Sequence, residues 1–155
     1  MNNFIEIRHI NRAEVDYLVR NLEGFEKDEA VKDGLGAAGN VFKIEGKRKL
    51  RQRMKSGSRG VTGNLLKSFQ VKVKKNKPGV LTGFKQGTDG GSHAHLVDRG
   101  TDERFYTTKK GKRKSTGRVK GNLFWSDTEA EDYPKAMDEL YKGIERGVEK
   151  ISSRI

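Results

Sequence analysis

A chain of 155 residues, with 33 lysines and arginines against 21 acidic residues and a formal net charge of +12, has room for one domain and a modest core. Hydrophobic residues make up 32%, glycines number 19 and the mean hydropathy is −0.86, so partner contacts are expected to supply part of the burial that the chain lacks. Without cysteine, disulfides, thiolate metal sites and thiol nucleophiles are excluded, and no run approaches the about 20 apolar residues of a membrane span.

The start, MNNFIEIRHINRAEV, lacks the cationic and apolar stretches of a signal peptide, so a soluble, intracellularly made product is expected. Within it FIEIRHI (4–10) alternates in part and reads as a strand or an extended lead-in. Asn11 is placed to cap a short amphipathic helix carrying Val15, Leu18, Val19 and Leu22, which Gly24 should end. From Glu26 to Met54 the spacing predicts the longest helix, with Val31, Leu35, Ala38 and Phe42 on one stripe and Ala37, Val41 and Ile44 beside it. Its tail, KIEGKRKLRQRMK, suits the negative end of a helix dipole as well as it suits a polyanion. SGSRGVTG breaks this helix, and Thr62 can cap a short turn, NLLKS.

FQVKVKK (69–75) alternates, with Phe69, Val71 and Val73 on one face; NKPG then turns the chain and VLTGFKQG returns it. HAHLVDRG is expected as a third strand, stopped by Gly100, and GRVKGNLFW as a fourth. Between them the segment from about 102 to 121 is too polar and basic to pack alone and reads as a long mobile loop. SDTE (126–129) has capping-box spacing, and Pro134 marks a first helical turn or a kink. Ala136, Leu140, Ile144, Val148 and Ile151 then form the stripe of a C-terminal amphipathic helix. The expected fold is α+β: a small antiparallel sheet of three to four strands packed against the long N-terminal-half helix and the C-terminal helix, in a single domain over 1–155.

Charge is unevenly placed. Residues 1–42 and 122–155 each carry five basic and eight acidic side chains, whereas 43–59 carry eight and one, and 101–121 carry eight and two. A basic middle between mildly acidic ends fits a polyanionic neighbour, and it equally fits a solvated charged face.

Three motifs carry chemistry on paper. GLGAAG (34–39) matches the dinucleotide fingerprint in letters, yet EKDEAVKD precedes it where a buried strand belongs and no acidic ribose partner follows. Ala30, Gly34 and Ala38, four apart, read instead as a small-residue groove for close packing. His93 and His95 share a face if their segment is a strand, but they lack a third clear ligand, and Ser92, His93 and Asp98 lie too close in one segment for a catalytic triad. No metal, cofactor or catalytic group is assigned. The tract holding Lys109, Lys110, Lys112, Arg113, Lys114, Arg118 and Lys120 has aromatics before and after it and none among its lysines, so it supports assembly or sequence-independent backbone contact with DNA rather than base stacking.

The order of these parts resembles the head-tail connector or tail-completion (neck) family of long-tailed bacteriophages and prophages. Thr62, Gly63, Asn64 and Leu65 match a family motif leading into the first main strand, and Asp98, Gly100 and Thr101 match a later strand end, over about 26–155. SRGV replaces the usual proline and arginine before the first motif, Asp98 stands where glutamate is common, and GNLFW replaces an Arg-Pro-Phe-like segment. The resemblance implies a structural virion protein, not an enzyme, that forms a homo-oligomeric ring at the head-tail junction. Neighbouring connector and tail proteins would be its partners, with non-specific contact to packaged DNA and no membrane. The alternative from another class is a stand-alone basic nucleic-acid-binding module, in which the charge itself is the function.

Overall fold

The computed structural model describes residues 12–21, 24–54, 63–87 and 90–154. They form α1 (Arg12–Asn21), α2 (Gly24–Arg53), α3 (Asn64–Lys67), β1 (Phe69–Val73), β2 (Val80–Phe84), α4 (Ala94–Arg99), β3 (Arg104–Thr107), β4 (Arg113–Gly117), α5 (Phe124–Glu131) and α6 (Tyr133–Ser152). The fold is α+β, with the long helix and the C-terminal helix where the apolar spacing puts them. The expected strand over 4–10, the Asn11 cap, Leu22 and Thr62 lie outside the described residues. Gly24, expected to end the first helix, is the first residue of α2.

α2 is the centre of the molecule because it is buried on two opposite sides. Toward α6 it presents Ala30, Gly34, Ala38 and Val41, all buried. A Cβ on Gly34 would stand 2.6 Å from the Leu140 carbonyl oxygen, and one on Gly147 would stand 2.8 Å from the Ala30 Cα. The two helix backbones therefore meet almost directly, and Ile144, Val148 and Ile151 close the seam around them.

The other side of α2 receives the β1–β2 hairpin. A Cβ on Gly39 would meet Val71 at 2.7 Å and Val80 at 2.9 Å, and one on Gly46 would meet Phe69 at 2.9 Å. A helix held between two layers uses small residues on both sides, so the single wide stripe expected for α2 does not form. Val31, Leu35 and Phe42 are half-buried, and Ile44 is 62% exposed.

β1 and β2 pair antiparallel with Phe69 opposite Phe84, Val71 opposite Thr82 and Val73 opposite Val80 on the inner face. Phe69, Phe84, Phe124 and Trp125 meet edge to face with centroids 4.6 to 6.2 Å apart, and Leu50, Leu65 and Ala94 complete this cluster.

Two strand expectations are corrected. HAHLVDRG is helical: Ala94 and Asp98 are buried and Val97 packs on the aromatic cluster, which is i, i+3, i+4 spacing, while His93, His95 and Arg99 face solvent. Over so short a run, HAHL fits period 2 and VDRG does not, so the alternation misled. The strand placed at GRVKGNLFW lies earlier, at Arg113–Gly117, and Phe124 and Trp125 open α5. Among the described residues the four strands form two separate two-stranded sheets, β1–β2 and β3–β4. SDTE lies inside α5 rather than capping a helix, whereas Pro134 sits in the first turn of α6 as expected.

Candidate functional site

The candidate site is the corner at Asp98–Thr101 and the basic arm that leaves it. Asp98 is 4% exposed, and its carboxylate accepts the backbone N–H groups of Trp125 (2.7 Å) and Ser126 (3.0 Å) and the Ser126 hydroxyl (2.5 Å). These are the free donors of the first turn of α5, whose own N-cap, Leu123, is left-handed at φ 56° and gives no side-chain cap. Asp98 thus caps a helix that starts 26 residues later in the chain.

Gly100 turns the chain at φ +81°, and a Cβ there would stand 2.5 Å from the Val119 carbonyl oxygen and 2.6 Å from the Gly121 nitrogen. Thr101 locks the same contact from both directions: its N–H donates to the Val119 carbonyl (2.9 Å), and its hydroxyl oxygen accepts the Val119 N–H (3.0 Å). Lys120 bridges to Gly100, and the N–H groups of Asn122 and Leu123 donate to the carbonyls of Val97 and Asp98. The two ends of the segment 102–118 are therefore clamped together at their base.

Beyond this clamp the basic segment is organised as a hairpin. β3 and β4 pair antiparallel, with an irregularity between Arg104 and Phe105, and every residue of both strands is exposed. Local contacts hold it: the Arg113 guanidinium lies 4.1 Å from the Phe105 ring centre, Ser115 donates to Glu103 (2.6 Å), and the tip closes through Thr108 and Lys112 with Gly111 at φ +75°. Lys109, Lys110, Lys112, Lys114, Arg118 and Lys120 are exposed, with no ion pair among the described residues. In the other matched motif, Gly63 turns into α3 at φ +75°, Asn64 begins that helix and Leu65 is buried in the aromatic cluster.

The basic tail of α2 behaves differently. The Lys49 ammonium, 5% exposed, sits 2.7 Å from Asp132 and 2.8 Å from Glu131; Arg53 reaches Asp127 at 2.6 Å, and Glu45 binds both Lys135 and Arg48 at 2.7 Å. Hydrogen bonds from Lys135 and then Arg48 lower the Glu45 pKa. Burial pushes Lys49 down, but the hydrogen bonds to Asp132 and Glu131 outweigh it and the pKa is raised. Lys49, Arg53 and Glu45 thus tie this end of α2 to α5 and α6. Sequence reading missed the network because its partners lie 74 to 90 residues away.

His93 precedes α4 as its N-cap residue, His95 lies within the helix and both are exposed, so the shared face that a strand would provide is lost. Among the described residues no three His, Asp or Glu side chains come together. GLGAAG lies within α2 and serves the close packing on both its sides. An open cleft of about 550 Å³ between α2 and α6 is rimmed by Lys32, Asp33, Asn40, Arg146 and Lys150. No helix among the described residues is long and apolar enough to cross a membrane. Comparison of the chain with protein-family models, with curated proteins and with solved structures finds no match.

Proposed function

We propose that this chain is a structural virion-assembly protein of a phage or prophage, not an enzyme, which forms a ring at the head-tail junction as a head-tail connector, neck or tail-completion protein. The observation that carries the reading is the β3–β4 arm: a hairpin exposed along its whole length yet clamped firmly at its root. Asp98, Gly100 and Thr101, the residues that carry the resemblance, build that clamp. An arm that buries nothing in its own subunit, while its base is held by a buried carboxylate and a glycine-only corner, fits a contact completed by another subunit or by a neighbouring connector or tail protein.

Light scattering across concentration, with and without duplex DNA at low and moderate salt, tests the reading. Rings, or a monomer that assembles at high concentration with or without DNA, are expected. A stand-alone nucleic-acid-binding module would instead stay monomeric and bind DNA tightly with a steep salt slope.

A further inference from the structure

A second basic surface lies on the β1–β2 hairpin, at its turn and on the face turned from α2. Residues 69–87 contain Lys72, Lys74, Lys75, Lys77 and Lys85 and no carboxylate or arginine. All five lysines are exposed, and none is ion-paired among the described residues. While Phe69, Val71 and Val73 face α2, Gln70 and Lys72 point outward, opposite Gly83 and Leu81 respectively. Gly83 is unexplained by the fold: its φ is not positive, and a Cβ built on it meets nothing within 4 Å. Glycine in a strand interior goes with a bulge, a sharp bend or the close approach of an outside group, and the β1–β2 register runs without a bulge through Gly83.

We infer that this face is a sequence-independent seat for the phosphate backbone of duplex DNA, with Lys72, Lys74, Lys75, Lys77 and Lys85 as the phosphate contacts and Gly83 as the point of closest approach. Lysine alone, without the arginine fork that pairs with carboxylates, supplies point charges that hold phosphate without fixing a register. An acidic protein partner would call for an aromatic or arginine anchor; among the described residues this hairpin offers one exposed large apolar side chain, Leu81. Lys72 and Lys74, two residues apart, rise about 6.7 Å along the chain, near twice the about 3.4 Å axial spacing of phosphates on one DNA strand. These lysines belong to a different hairpin from the β3–β4 arm, so the two sets can be varied separately and this inference and the ring reading fail independently.

The test is fluorescence anisotropy of the full chain with a short mixed-sequence duplex across a salt series, with light scattering alongside. Lys72→Ala/Lys74→Ala/Lys77→Ala should reduce the slope of log affinity against log salt by about 2.7 and leave the assembly behaviour of the parent intact. Gly83→Thr, which suits a strand and meets no neighbour, should weaken DNA binding severalfold without lowering thermal stability. The idea is overturned if Lys112→Ala/Arg113→Ala/Lys114→Ala, the same charge change on the arm, reduces the slope as much. It is equally overturned if Gly83→Thr binds like the parent, or if poly-glutamate of matched charge competes as well as unlabelled duplex.

Discussion

Two glycines of one motif, Gly34 and Gly36, should respond in opposite directions to the same methyl group. At Gly34 the new Cβ meets the backbone oxygen of Leu140 and the Ile144 side chain at 2.6 Å, and a backbone atom cannot swing aside. Gly34→Ala should therefore destabilise by roughly 1–3 kcal/mol, even after the about 1 kcal/mol that alanine gains in helix propensity. At Gly36 the nearest atom is Val73 Cγ2 at 3.6 Å, an ordinary contact. Gly36→Ala should stabilise by roughly 0.5–1 kcal/mol, and urea denaturation of the two variants reads both signs. That close packing was legible, because Ala30, Gly34 and Ala38 repeat at helical spacing and carry no side chain to fill a groove. The role of Asp98 was not. An aspartate in a polar corner looks the same whether it faces water or caps a distant helix, and its partners Trp125 and Ser126 lie 27 and 28 residues away. Asp98→Ala should cost roughly 2–4 kcal/mol by stranding those donors, and Asp98→Asn, which keeps one acceptor oxygen, about half as much.

At the scale of elements, the hairpin β3–β4 is exposed on every residue, so its charge should be separable from the stability of the body. Replacing Lys112, Arg113 and Lys114 by alanine should move the Tm by no more than about 5 °C, since each exposed substitution stays near ±0.5 kcal/mol and the Arg113–Phe105 stack adds about 0.5–1 kcal/mol. The same variant should weaken self-assembly in light scattering. A large drop in Tm would mean that the arm supports the fold of its own subunit. Composition made this segment look irregular because strands without a buried face show no apolar alternation: RKSTG and RFYT owe their pairing to turn geometry and to the clamp at their base. The β1–β2 hairpin was legible for the opposite reason, since Phe69, Val71 and Val73 alternate with polar residues and one face is buried. HAHLVDRG fell between these cases, being too short for its period to decide.

For the molecule as a whole, the charged segments do not act as the sequence blocks imply. Near the end of α2, Arg48, Lys49 and Arg53 are answered from within by Glu45, Asp127, Glu131 and Asp132, whereas the lysines of the two hairpins have no ion pair among the described residues. Acidic ends and a basic middle were visible in the sequence, but which charges cancel depends on α2 lying against α5 and α6, and only the topology decides that. The network gives stability a definite pH dependence. Glu45 has a folded pKa below its ordinary 4.5, so its contribution is full above that pH and is lost as pH falls toward the folded value. Lys49 has a folded pKa above its ordinary 10.5, so its contribution is full below that pH and is lost as pH rises through the folded value. Stability measured by urea denaturation should therefore form a plateau through neutral pH with a decline at each end. Glu45→Gln should soften the acid decline and leave the alkaline one, whereas Lys49→Met should do the reverse. Lys49→Met should also lower the plateau by roughly 2–4 kcal/mol, because it removes the cation that Asp132, itself 15% exposed, faces at 2.7 Å. An unchanged plateau in Lys49→Met would show that the α2–α6 seam, and not this ion network, holds the α5–α6 junction in place.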